Sequence, residues 1–245
     1  KINGLTQKIV DTKETAQTEI QTFDWPQIKI NIAEIDIENN LIDYRVGNAL
    51  PKKNLFNPNA IALKNLTIKA QNIVLKDKRA GLRLNAFKFN ETSGLNLKQL
   101  ALNIEVTDQK MMLDDLDFKL NNNAISGYAH LDYKSIAQLI DAPEYTKVDT
   151  NLPSFSISLN ELSKFQPDLK NNPYLNTLSK RQLTGNLNAI GNLAQINLRE
   201  ANINWGNTTQ ISAKGQLKNV TNPETLGFDI SQFSFMCTGT LDAKS

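Results

Sequence analysis

The chain has 245 residues, 40% of them hydrophobic and 7% aromatic, with 27 Lys plus Arg set against 25 Asp plus Glu. A net charge of +2, with the bases dispersed, offers no dense positive field for a nucleic-acid backbone, so nucleic acid is not expected as a partner. One cysteine, Cys237, and one histidine, His130, leave neither an internal disulfide nor a His/Cys cluster for zinc, and no metal or cofactor is expected. The excess lies instead in 31 asparagines, a residue that forms both helices and strands poorly.

Residues 1–22 read as a polar N-terminal segment, in which Leu5, Ile9, Ala16 and Ile20 are too sparse for an amphipathic helix. The segment has no signal-peptide h-region, and no apolar run of eighteen residues occurs anywhere. Because the sequence opens on Lys1 rather than Met, it is expected to be a piece of something longer. Residues 23–245 read as a single β unit.

From Ile28 the chain runs IKINIAEIDI, with Ile28, Ile30 and Ile32 on one face, a slip at Ala33 and Glu34, and a restart at Ile35 and Ile37. Alternation at period two means a half-buried strand. The same figure returns as IALKNLTIKA at 61–70, LNLKQLALNI at 95–104, MMLDDLDFKL at 111–120, INLREANINW at 196–205 and FDISQFSF at 228–235. In each, two mostly polar residues interrupt the alternation, which resumes on the opposite parity. A one-residue slip turns the second half outward unless a bulge absorbs it, so each phrase reads as a bulged, bent strand.

Asn39 and Asn40, Asn121 to Asn123, and Gly206 with Asn207 carry hairpin chemistry, since Asn and Gly accept the positive φ of short turns. Gly127 and Gly215 fall at inward positions of the strands that follow such turns. The count comes to about thirteen strands and about 60 Å of sheet, which must curl, split or extend as a repeat. One interruption is expected over about 134–182. SIAQLI with Ser135 as N-cap, NELSKF, and Asn172 followed by Pro173 mark short helices around the strand LPSFSISLN, and this helical excursion should lie beside the sheet with Ile136, Leu139, Leu162, Phe165 and Leu175 on its rim.

The search for chemistry is nearly empty. There is no nucleophile elbow, phosphate loop, dinucleotide fingerprint or zincin motif, and the chain is not expected to be an enzyme. His130 shares parity with Tyr128 and Asp132 on the outer face, and reads as a solvated histidine. Asp114 and Asp115 occupy the slot that holds Lys64 and Asn65, or Arg199 and Glu200, in sister phrases. A slot that takes either sign reads as a solvated corner. Trp25, beside Pro26, reads as a staple over a sheet end, and Trp205 as part of the inward face.

What remains is the aliphatic face. Its members by strand parity are Ile28, Ile30, Leu66, Ile68, Leu100, Leu102, Ile104, Leu116, Phe118, Leu131, Leu187, Leu198, Ile203, Ile211 and Leu217. Such a face must close on itself, pack on a second sheet, or leave a groove for an apolar ligand. The sparse aromatics favour acyl chains over sugars, which are met by Trp and Tyr platforms.

The repeated phrase, the strand pairs MMLDDLDFKLNNNAISGYAHLDY and INLREANINWGNTTQISAKGQL, and the insert SISLNELSKFQPDL resemble the AsmA-like superfamily, most closely its TamB-like members of the translocation and assembly module. The resemblance covers residues 23–236 and rests on periodic pattern rather than on fixed residues. It implies an all-β fold: an elongated, curled antiparallel sheet forming a U-shaped, taco-like apolar groove, with a short helical insertion. It implies a periplasmic protein of a Gram-negative-type bacterium, anchored in the inner membrane and shielding phospholipid acyl chains in transit to the outer membrane in support of outer-membrane biogenesis. It further implies an Omp85-family outer-membrane barrel as partner, engaged through a part of the protein outside this sequence. The alternative is a scaffold or chaperone for outer-membrane protein insertion or protein secretion, offering strand edges to its clients. A sandwich-type carbohydrate-binding module, the third reading, requires an outward aromatic strip that the sequence lacks.

Overall fold

The computed structural model describes residues 23–238, and the polar segment 1–22 lies outside them. Eleven strands pair in sequence order into one open, curled antiparallel sheet: β1 (Ile30–Arg45), β2 (Ala60–Lys76), β3 (Arg79–Glu91), β4 (Asn96–Thr107), β5 (Lys110–Leu120), β6 (Asn123–Asp132), β7 (Lys147–Ile157), β8 (Leu183–Asn192), β9 (Gln195–Trp205), β10 (Thr209–Lys218) and β11 (Gly227–Cys237). At the usual strand spacing this is about 50 Å of sheet, shorter than the expected thirteen strands would make. The difference arises because two periodic runs join within one strand. Asn39 and Asn40, expected in a hairpin, lie inside the 16-residue β1, where Asn39 takes φ +52° at a break in register between Ile37 and Asn40.

Register breaks of this kind recur from strand to strand: between Lys64 and Thr67 on β2, Leu113 and Leu116 on β5, Leu152 and Phe155 on β7, and Ala213 and Gly215 on β10. The first two are the polar slots Lys64–Asn65 and Asp114–Asp115 of the sequence, and the β10 break lies opposite a third, Arg199–Glu200 on β9, whereas Pro153 and Ser154 on β7 form no such slot. Asn65 and Asp115 reach φ +53° there, and an extra residue on one strand bends it and increases its twist. A line of bulges across a long sheet supplies the curl. Gly127 holds φ +138° at one of them, and a Cβ on it would sit 2.1 Å from the Asn151 carbonyl oxygen, so no other residue fits.

Two helical connections flank β7. In the first, α1 (Ile136–Asp141) is capped by the Ser135 hydroxyl, which accepts from the Gln138 N–H, and a 3-10 turn at Pro143–Tyr145 follows. In the second, 3-10 turns at Leu159–Lys164 and Pro167–Asn171 lead to α2 (Pro173–Leu178), whose cap Asn172 accepts from the N–H groups of Tyr174 and Leu175. The excursion expected over 134–182 is therefore two separate connections, because β7 is a full member of the sheet, paired with β6 and β8.

The second connection runs across one end of the strands. The Ser158 N–H donates to Asn123 Oδ1 at 2.7 Å, Asn121 Nδ2 to Glu161 Oε2 at 2.5 Å, and Lys164 Nζ to the Gly94 carbonyl at 3.0 Å. The Phe56 N–H then donates to the Lys164 carbonyl at 2.8 Å, and the Phe56 and Phe165 rings lie 5.6 Å apart. It ties β6, the β5–β6 and β3–β4 turns and the β1–β2 connection together. Ala60, Leu66, Leu95 and Leu97 are buried near this end, with Glu91 accepting from the Ser93 N–H and hydroxyl.

The opposite end is held differently. Trp25 Nε1 donates to Asp108 Oδ1 at 2.6 Å and Lys78 pairs with Asp108 at 3.0 Å, which together hold that carboxyl below the usual aspartate range. Trp25 is thus the staple over a sheet end, its ring meeting Phe23 edge-on at 5.5 Å. The Tyr133 hydroxyl donates to the Thr107 carbonyl at 2.9 Å, and burial, followed by the nearby Asp108 charge, raises its pKa.

Candidate functional site

Residues directly opposite in an antiparallel ladder share a face, so register can be followed across the whole sheet. One row runs Ile30, Leu75, Ala80, Val106, Met111, Leu131, Val148, Gly191, Ile196, Leu217, Phe228, apolar or glycine at every one of the eleven strands. Beyond the bulges a second row runs Leu100, Phe118, Ile125, Phe155, Gly185, Ile203, Ile211, Phe235. Leu100, Leu102, Ile104 and Val106 alternate along β4 and join the two rows on one face. The bulges allow this, since each absorbs the residue that would otherwise turn half the strand outward.

Fourteen of the fifteen residues expected on the aliphatic face lie in strands and on this side of the sheet. Ile30, Leu100, Phe118, Leu131, Ile203, Ile211 and Leu217 stand in the two rows. Ile104 pairs with Leu82 and Leu113, Leu102 with Leu84, Leu198 with Ala189, Leu187 with Leu152, Leu116 with Gly127, and Ile68 with Phe87; Leu66 alternates with Ile68. Ile28 does not join them. It precedes β1 and is 66% exposed, because pairing with β2 begins only at Ile30. Of the fourteen, Leu66 alone is buried; Ile203 is exposed and the rest are half-buried, so the face is reachable rather than sealed.

The other face is polar. Arg83, Asn103 and Asp114 share a row, and Asn202 Nδ2 donates to Asn186 Oδ1 at 3.0 Å and Gln195 Nε2 to Gln216 Oε1 at 2.8 Å across strand pairs. His130 lies on this face, with its Nε2 2.7 Å from Asp114 Oδ1 and its ring 4.8 Å from that of Tyr128, whose hydroxyl donates to Asp149 Oδ1 at 3.2 Å. Burial first, then the Asp149 charge, raises the Tyr128 pKa. Asp115 accepts from Asn103 Nδ2 at 2.7 Å at the bulge, the corner that its slot in the repeat indicated. Trp205 stands on the apolar side, and its Nε1 donates to the Leu178 carbonyl at 2.9 Å while the Arg181 guanidinium sits 4.9 Å from its ring.

Sequence parity missed Val106, Met111, Val148, Ile196 and Phe155, which complete the rows. The signal was present in period-two alternation; in β7 the strand LPSFSISLN was legible, and the polar run of Asp149, Thr150 and Asn151 obscured its continuation back to Val148. Also unforeseen is a cleft of about 980 Å³ at the Trp25 end, between the β4–β5 turn and the α1 connection. Among the described residues no helix is long and apolar enough to cross a membrane. Comparison with protein-family models, with curated proteins and with solved structures found no match.

Proposed function

We propose that this sheet forms an apolar groove that shields phospholipid acyl chains in transit between two membranes, as one segment of a larger TamB-like, AsmA-like envelope protein. In this reading the protein works in the periplasm, anchored to the inner membrane by a part of the molecule outside this sequence, supports outer-membrane biogenesis, and has no catalytic group. The carrying observation is the uninterrupted apolar row from Ile30 on β1 to Phe228 on β11, on a face that stays half-accessible. A closed core needs burial; a sliding apolar ligand needs a continuous aliphatic track without fixed polar anchors. Burying one methylene of a chain stabilises by about 0.8 kcal/mol, so partial cover of an acyl chain offsets much of the cost of crossing water. Headgroups stay in water beside the track.

The test is photo-crosslinking in cells. A crosslinking residue at Leu102 or Phe118 is expected to capture lipid, and one at Asn103, on the polar row with Arg83 and Asp114, is not. Equal labelling at the two faces overturns the reading.

A second reading has its own observation. β11 is an open edge carrying Phe228, Phe233 and Phe235 at 66%, 66% and 57% exposure, without a Lys, Arg or Pro among its residues. Natural edges are usually blunted by such residues, so this one suits pairing with a client strand, in a scaffold or chaperone that serves an Omp85-family barrel. Phe235→Pro, at a position whose N–H points away from β10, is expected to block strand addition, and loss of client pairing with lipid capture at Leu102 retained favours this second reading.

A further inference from the structure

The cleft at the Trp25 end is lined by Thr107, Gln109, Lys110, Asp132, Tyr133, Lys134, Gln138, Ala142, Tyr145 and Lys147. Three ammonium groups against one carboxylate leave it at +2, within a chain whose total is +2. Lys110 and Lys147 stand on either side of Asp132 in the ladder, yet none of Lys110, Lys134 and Lys147 makes an ion pair within 4 Å among the described residues. Half-buried Lys110 places its Nζ 3.4 Å from the Met112 sulfur, a weak acceptor. Other cations of the molecule do pair, Lys78 with Asp108, Arg79 with Glu105 and Lys164 with Glu161, but none of these lines the cleft. Gln138, by contrast, is fully engaged in holding the connection, donating to the Ala142 carbonyl and accepting from the Lys134 N–H. The cleft therefore has a fixed wall and three lysines without an ion pair among the described residues, and the rings of Tyr133 and Tyr145 and the Ala142 methyl supply its apolar lining.

Position adds the chemistry. Thr107, Lys110, Asp132 and Lys147 each adjoin, along the chain, a member of the apolar row, Val106, Met111, Leu131 and Val148, and so stand on the polar face at the strand ends. Ammonium groups act as point charges for phosphate oxygens, and a volume of this size accommodates a small organic molecule. We infer that this cleft binds a phosphate ester, held by Lys110, Lys134 and Lys147.

The experiment follows amide resonances of the isotope-labelled chain with three probes: glycerol 3-phosphate, dihexanoylphosphatidylglycerol below its micelle concentration, and uncharged octyl glucoside. The cleft is read at Gln109 and Tyr145, and the apolar face at Leu102 and Leu113. At least one phosphate probe is expected to shift the cleft, and Lys110→Gln with Lys147→Gln is expected to weaken that titration at least tenfold while octyl glucoside titrates the face unchanged. Shifts from the lipid alone identify a headgroup; shifts from glycerol 3-phosphate identify a soluble ester. A cleft silent to both phosphate probes, or shifted equally in the double variant, overturns the inference. Face shifts with a silent cleft leave the acyl-chain reading standing, and cleft shifts without face shifts do the reverse.

Discussion

An open apolar face and a sealed one respond oppositely to a charge, and Leu102→Asp on β4 separates them. Leu102 is half-buried opposite Leu84. Full burial of a leucine is worth about 1.5–3 kcal/mol, so removing a half-buried one costs about 1–1.5 kcal/mol. The poor fit of Asp to a strand raises the total to about 2 kcal/mol. With water at the face, the new carboxylate stays hydrated and adds no burial penalty. Leu66→Asp is the contrast: at 2% exposure it loses about 2–5 kcal/mol of packing and also places an unpaired charge in the interior, for several kcal/mol more. In urea followed by far-ultraviolet circular dichroism, Leu102→Asp should fold with its midpoint lowered by about 1 M, taking a slope of about 2 kcal/mol/M, whereas Leu66→Asp should not fold. The Leu102 variant should also lose lipid capture. If Leu102→Asp unfolds the protein as fully as Leu66→Asp, the face is a sealed core and the groove reasoning fails.

Gly127→Ala forces a Cβ to 2.1 Å from the Asn151 oxygen at φ +138°, and should cost about 3 kcal/mol, or about 6–12 °C in melting temperature. Gly47→Ala, at φ +57° with nothing within 4 Å of its Cβ, is the milder control at about 1 kcal/mol. Phe165→Ala removes the ring contact with Phe56 and should cost about 1 kcal/mol, read as faster hydrogen exchange over 159–178 with β8 to β10 unchanged. The Asp108 carboxyl has a lowered folded-state pKa, held first by the Trp25 indole and then by Lys78. Its contribution is therefore present above the ordinary aspartate value near about 3.9 and is lost as pH falls through the lowered folded value. Trp25 fluorescence in a Trp205→Phe background should show an acid transition there, and Asp108→Asn should abolish it.

The parity flips were legible because the sequence repeats them. Lys64 with Asn65, Asp114 with Asp115, and Arg199 with Glu200 stand at one place in successive phrases, and a repeated interruption points to a structural bend rather than to chance. Their sign carried no meaning, as the opposite charges on equivalent bulges show. Asn39 misled for a physical reason: φ near +52° serves a tight turn and a bulge equally well, so an Asn pair does not say whether the chain reverses. Pro153 stands inside β7 without breaking it. A proline argues against a central strand, but this one lies at the register break between Leu152 and Phe155, where a bulge tolerates it. The lysine cleft was not legible at all. Lys110, Lys134 and Lys147 are far apart in sequence, and only the ladder between β5, β6 and β7 and the fold of the α1 connection bring them to one rim.

The asparagine excess and the apolar track are two parts of one solution. A strand that must bend and still present aliphatic residues to one side needs an inserted residue at the bend, and some inserted positions need positive φ. Among the described residues, six of the nine non-glycine residues with positive φ are asparagines: Asn39, Asn54, Asn65, Asn72, Asn121 and Asn219. Asparagine tolerates that conformation better than other side chains, and its amide is polar without charge. On the outer face the same residue makes cross-strand amide contacts, as between Asn202 and Asn186, and keeps the sheet wetted there. A closed sandwich has no use for an apolar row that reaches both edge strands, since charge at its edges protects it. Here the row runs through β1 and β11 alike, so any strand added at either edge extends the same track.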